Sequence, residues 1–261
     1  MKTKNENAKR FSHLREFENA VLKSIPSWVF DENLQDGVIG NKNLPKIMDE
    51  SFRKIFPKVG ILTDEYSSIR QDWQNFYLDN FSWAVDFSQV IIPIKPTKGD
   101  YRLIFIAVVE GMMLNMVLKR SSVLFKIRAC DNRGLYFSKK IKDLDSVVVR
   151  NTRTASDHYA IWVRNSIAPD QEFLGKWSEE VDSSMKIGIT LLERLIFGIK
   201  YFLETGSHLD PKYVTLCSGS SDVDYAEPSV FYSKSKGEVK VGWFNFRDNK
   251  SICGIRSVIS L

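Results

Sequence analysis

Cysteine and histidine are both scarce, with three of each in 261 residues, and that scarcity removes whole classes of chemistry. Cys130, Cys217 and Cys253 form an odd, widely spaced set, so no disulfide framework is written here and a reducing compartment is expected. His13, His158 and His208 stand apart, none paired with a cysteine or a second histidine at ligand spacing. No metal site and no cofactor is expected.

Long apolar runs are missing too. The most apolar stretch, Leu103 to Leu118, is interrupted by Glu110, Gly111 and Asn115, which suits a core segment and not a membrane span. The opening MKTKNENAKR leads into an amphipathic segment without an apolar leader core, so a cytoplasmic location and no membrane partner are expected. A charge excess of one sign is lacking: 37 basic residues face 32 acidic ones. The bases are spread along the chain instead of gathered in one stripe, so nucleic acid is not the favoured partner. Repeats and low-complexity tracts are absent as well.

What is present is enough hydrophobic residue, 43 % of the chain, to bury a core. The best specified element is Thr190 to Thr205. Thr190 and Glu193 have capping-box spacing, and Leu191, Leu192, Leu195, Ile196, Ile199, Phe202 and Leu203 give an apolar face broad enough for the centre of a core. Gly206 stands where a left-handed cap belongs.

Toward the N-terminus, Phe11, Leu14, Phe17, Val21 and Ile25 share a helical face that ends at Pro26. A second helix is expected from about Leu44 to Phe56, and a third opens at Thr63 with the aromatic face Tyr66, Ile69, Trp73, Phe76 and Tyr77. From Gln89 the texture becomes β: VIIPIKP, YRLIFIAVV, VLFKIRA, DLDSVVVRN and YAIWVRN are strand candidates. Met112 to Arg120 suits a helix, and Gln171 to Lys186 a short one. The fold class expected is α+β: a tail over 1–10, a helical region 11–85, a mixed region 86–188, and 189–261 as capped helix plus β-rich segment, compact with the middle.

Catalytic sets are weak. His208, Asp210, Cys217 and Ser218 admit a nucleophile and base only if the fold brings them together; the simpler reading is a helix-end turn beside a buried thiol. Ser218-Gly219-Ser220 lacks the flanking residues of a nucleophile elbow or phosphate loop and reads as a turn. Asp86, Asp100 and Glu110 lie near strand candidates, as carboxylates of a metal-dependent nuclease do, but no following lysine completes the pattern. No catalytic residue is assigned.

YAIWVRN (159–165), GITLLERLIFGIKYFLETGSHLD (188–210) and TLCSGS (215–220) resemble a group of uncharacterised bacterial proteins over roughly 147–261. Such proteins continue through Cys-x-Gly-Ser-Arg and Val-Pro-x-Val to a strand pair around a Trp and an Arg-x-Arg-x-Val end. This chain has Glu227-Pro228-Ser229-Val230, GEVKVGWF and CGIRSVISL, with Ser221 in place of the first arginine and Arg256 alone at the end. The ending is also similar to the terminal strands of the C-type-lectin-like fold of formylglycine-generating-enzyme relatives and bacterial display proteins. That resemblance implies loops on a β scaffold between Ser221 and Ser251.

The residue types there fit binding. Tyr225, Tyr232, Phe244, Asn245, Arg247, Asp248 and Asn249 form the expected ligand surface, whereas Val239, Val241 and Trp243 alternate as the core side of a hairpin turning at Lys236-Gly237. The function expected is non-enzymatic recognition of a protein or small molecule. The alternative is a nucleic-acid-associated enzyme or accessory factor.

Overall fold

The computed structural model describes residues 64–109, 114–133, 139–153, 157–177, 180–181, 188–244 and 247–261. The chain divides into two units, Met1–Gly60 and Ile61–Leu261, and every described residue belongs to the second. The two helices expected before Pro57 lie outside the described residues, as does Glu110.

The second unit is α+β. Helix α1 (Ser67–Phe81) follows a 3-10 turn at Asp64–Tyr66 and buries Trp73, Phe76 and Tyr77, the aromatic face its spacing predicts. The Tyr77 hydroxyl donates to the Phe105 carbonyl at 3.0 Å and accepts from the Ala107 amide at 3.2 Å, which ties the helix to strand β1 (Tyr101–Ile106). Helix α2 (Leu114–Leu124) runs past the expected end at Arg120 and takes in Val123 and Leu124. Strand β2 therefore starts at Ile127 and ends at Asn132; Val123 is 70 % exposed, so it has no core face to gain by pairing. VIIPIKP contributes no ladder strand, because two prolines remove donors from it.

The described residues form three sheets. Strand β5 (Tyr159–Arg164) is central between β1 and β11 (Val258–Ile259), antiparallel to both. Its four inner residues are fully buried, as expected of YAIWVRN. The six-stranded sheet has the order β10-β6-β8-β9-β2-β3, with β3 Lys139–Lys140, β6 Val214–Leu216, β8 Ser229–Ser233, β9 Glu238–Phe244 and β10 Cys253–Ile255. Strands β8 and β9 form the expected hairpin, with Gly237 at φ 58° in its turn. Val239, Val241 and Trp243 all face the core. A third pair joins β4 (Arg150–Asn151) to β7 (Ser220–Ser221), the only strand within DLDSVVVRN. Of the expected helix over 171–186, residues 171–177 and 180–181 are described, and they begin with a 3-10 turn at Gln171–Phe173.

Helix α3 (Leu191–Thr205) lies against α2, β1 and β8. It buries Leu191, Leu195, Ile196, Phe197 and Ile199, each contributing roughly 2 kcal/mol through removal of apolar surface from water. Leu203, 45 % exposed, falls outside the buried face its spacing suggested. The capping box is complete: the Glu193 amide donates to Thr190 Oγ1 at 3.2 Å and the Thr190 amide to Glu193 Oε2 at 2.8 Å. TLCSGS seats this end of the helix. The Leu191 amide donates to Ser220 Oγ at 2.9 Å, and a Cβ on Gly219 would stand 2.5 Å from the Gly188 carbonyl oxygen, so only glycine allows the turn to approach.

Candidate recognition surface and the buried charges behind it

The charges around the turn SHLDP, Asp210 with Arg194 and Arg256, are consumed inside the fold. Asp210, with φ 58°, is fully buried and accepts from Arg194 Nη2 and Arg256 Nη2, each at 2.7 Å, and from Thr215 Oγ1 at 2.6 Å. Arg256 also donates to the Thr215 hydroxyl and to the carbonyls of Ser166 and Ile167. It sits where the chain passes from β10 in one sheet to β11 in the other. A helix, two sheets and a loop are thus pinned at one carboxylate. Burial pulls the Arg256 guanidinium below its ordinary pKa, opposed by the Asp210 charge.

These contacts overturn the nucleophile reading. Asp210 is turned to arginines, and the His208 ring is stacked between Phe202 at 4.8 Å and Tyr232 at 4.3 Å. Burial holds the His208 pKa down and pushes the Cys217 thiol up, so the thiolate a nucleophile needs is suppressed. Among the described residues no hydrogen bond links His208 with Asp210 or Cys217. Two carboxylates of the nuclease pattern are engaged with other partners: Asp86 accepts from Ser88, and Asp100 from Asn165.

A second buried carboxylate, Glu193, is matched by Arg153, whose Nε and Nη2 each approach at 2.6 Å, and by the Tyr159 hydroxyl at 2.9 Å. Burial, followed by the Glu193 charge, raises the Tyr159 pKa, so the phenol stays protonated and donates.

The expected binding residues do not share one environment. Tyr232 is half-buried in the aromatic stack with His208. Phe244 closes β9, and Arg247, Asp248 and Asn249 lie in a 3-10 helix, Arg247–Ile252; Asn245 lies outside the described residues. Tyr225 differs from all of these. It is 72 % exposed and held at φ 62°, a conformation that few aromatic residues adopt.

The reason is the turn beneath it. Buried Asp222 accepts from the Asp224 amide at 3.0 Å and the Ala226 amide at 2.9 Å through Oδ1, while its Oδ2 binds Arg133 Nη1 at 2.6 Å. The Tyr225 amide donates to the Asp222 carbonyl at 3.2 Å. Arg150 reaches the carbonyls of Asp222 and Val223, and its guanidinium carbon lies 3.8 Å from the Tyr225 ring centroid. Trp243 closes the far side by donating to the Ala226 carbonyl at 3.0 Å. Val223 and Val149 are also exposed, at 63 % and 48 %, and the Val149 amide donates to the Ser221 carbonyl at 3.0 Å.

The sequence reading missed Arg133, Arg150, Asp222 and Val149 here. The signal was present only at Asp222, since Asp-Val-Asp-Tyr-Ala is an Asx-turn composition; the arginines arrive from β4 and from just past the end of β2, about seventy to ninety residues earlier. Compared with protein-family models, curated proteins and solved structures, the chain matches none of them.

Proposed function

We propose that this chain is a non-enzymatic recognition protein whose partner docks on the loop from Asp222 to Ala226 in the C-terminal segment. The observation that carries the reading is Tyr225. A solvent-exposed aromatic held at positive φ costs on the order of 1 kcal/mol or more and persists only where its surroundings over-determine it. Its surroundings are Asp222, Arg150 and Trp243, which fix the backbone and leave the ring outward. A rigid Tyr beside an arginine, two residues after the exposed Val223, supplies contact area at small ordering cost, as binding anchors do.

The test compares the full chain with Tyr225→Asn, each immobilised and exposed to lysate of the source cell. Asn tolerates the left-handed region and keeps the turn. A discrete species retained by the wild type and lost from the variant, with the thermal midpoint unchanged, is the expected result. Retention of the same species by both proteins refutes this surface.

A further inference from the structure

A different face of the molecule carries a cluster of cations, three of which have no ion pair among the described residues. Beside β2 and β3, under helix α2, lies an open groove of about 640 Å³. Five cations line it: Lys119 from α2, Lys126 and Arg128 at the start of β2, and Lys140 and Lys142 from the β3 segment. All five are exposed. The carboxylate in the lining is Glu238, at the start of the neighbouring strand β9 and only 2 % exposed.

Glu238 lies 3.8 Å from both Lys126 Nζ and Arg128 Nε, beyond hydrogen-bond reach. It holds two cations in place by charge without occupying their donors. Asp143 and Asp145 lie close by in sequence but are engaged with α2: Asp145 accepts from the Leu114 and Asn115 amides at 2.7 and 3.0 Å, and Asp143 from the Asn115 side chain at 2.6 Å. Among the described residues, Lys119, Lys140 and Lys142 have no ion pair.

We propose that this groove binds the phosphate backbone of duplex nucleic acid without reading its sequence. Four of the five cations are lysines, compact point charges suited to phosphate and depleted from protein-protein interface cores. A small phosphorylated ligand is bound by donors that converge, often backbone amides at a glycine-rich turn, whereas these cations are spread along two strands and a helix. Among the described residues that line the groove none is aromatic, so they supply none of the base stacking that single-strand binders use. Backbone contacts alone position a duplex and specify nothing. The site is independent of Tyr225, so either proposal can fail alone.

The experiment is fluorescence anisotropy of the full chain with a short duplex and with a single strand of the same sequence, over a salt series. Five phosphate contacts give a log-log salt slope of about −4.5. In Lys119→Gln/Lys140→Gln/Lys142→Gln the slope is expected to become shallower by about 2.7, with at least about a tenfold loss of affinity at low salt. These positions are exposed, so an unchanged thermal midpoint identifies lost contacts and not lost folding. Lys212→Gln, exposed outside the groove, should bind as the wild type does. Absence of salt-dependent binding, equal binding by the triple variant, preference for the single strand, or displacement of the duplex by inorganic phosphate or polyglutamate at matched ionic strength each overturns the proposal.

Discussion

The Arg194–Asp210–Arg256 network and the groove beside β2 use the same residue chemistry to opposite ends. In the network each guanidinium is out of water and meets a carboxylate, a hydroxyl or carbonyls at hydrogen-bond distance. In the groove five cations face water around one carboxylate that touches two of them at 3.8 Å. The difference teaches where to look for function: buried charge must be satisfied by the fold, while exposed charge left without a partner is free for a ligand. Breaking the first should cost stability, and breaking the second should cost binding.

The largest effect is expected at Asp210→Asn. It leaves Arg194 and Arg256 buried against a neutral group, and removing one partner of such a network costs about 3–5 kcal/mol. Chemical denaturation should show that loss, while a protein that still folds keeps its duplex binding. Glu193→Gln comes next, at about 2–3 kcal/mol, because Arg153 and Tyr159 lose a charged acceptor; its denaturation midpoint should fall between those of Asp210→Asn and wild type. Equal stability of both variants with the wild type would erase the contrast between buried and exposed charge.

Tyr225→Asn sharpens the contrast from the other side. Relief of backbone strain and loss of the Arg150 contact act oppositely, so stability should stay within about 0.5 kcal/mol of wild type, read by the same denaturation, while partner retention disappears. The smallest effect is at His208. Burial and Arg194 lower its folded pKa, so below the ordinary value of 6.5 the unfolded chain binds the proton more readily and stability falls as pH drops. His208→Phe keeps the aromatic stack and removes the titration. The wild-type stability relative to that variant, followed against pH, should therefore decline through that window.

Much of the fold was legible where one local rule decides the outcome. Helix α3 carries its own start and stop, YAIWVRN reads as an inner strand because four successive side chains must leave water, and the β8–β9 hairpin is announced by alternation and Gly237. Element limits were less legible: α2 gained a turn at the expense of β2 because Val123 and Leu124 carry β-branched or aliphatic character that either state accepts. Of the residues expected at a ligand surface, Tyr225 is the one at the centre of the proposed docking loop, whereas Tyr232 turned inward because His208 and Phe202 offered it a stack.

The sequence by itself determined an α+β protein with a capped central helix and a C-terminal hairpin, since propensity, periodicity and turn chemistry act over a few neighbouring residues. Only the tertiary structure decided what the charges do. Arg256 is a surface-like residue in the sequence and the pin of two sheets in the fold. Arg133 and Arg150 become the footing of Tyr225, and five scattered cations from a helix and two strands become one groove. Those assignments depend on which distant segments meet, and burial then sets whether a charge must be paired within the protein or stays available outside it.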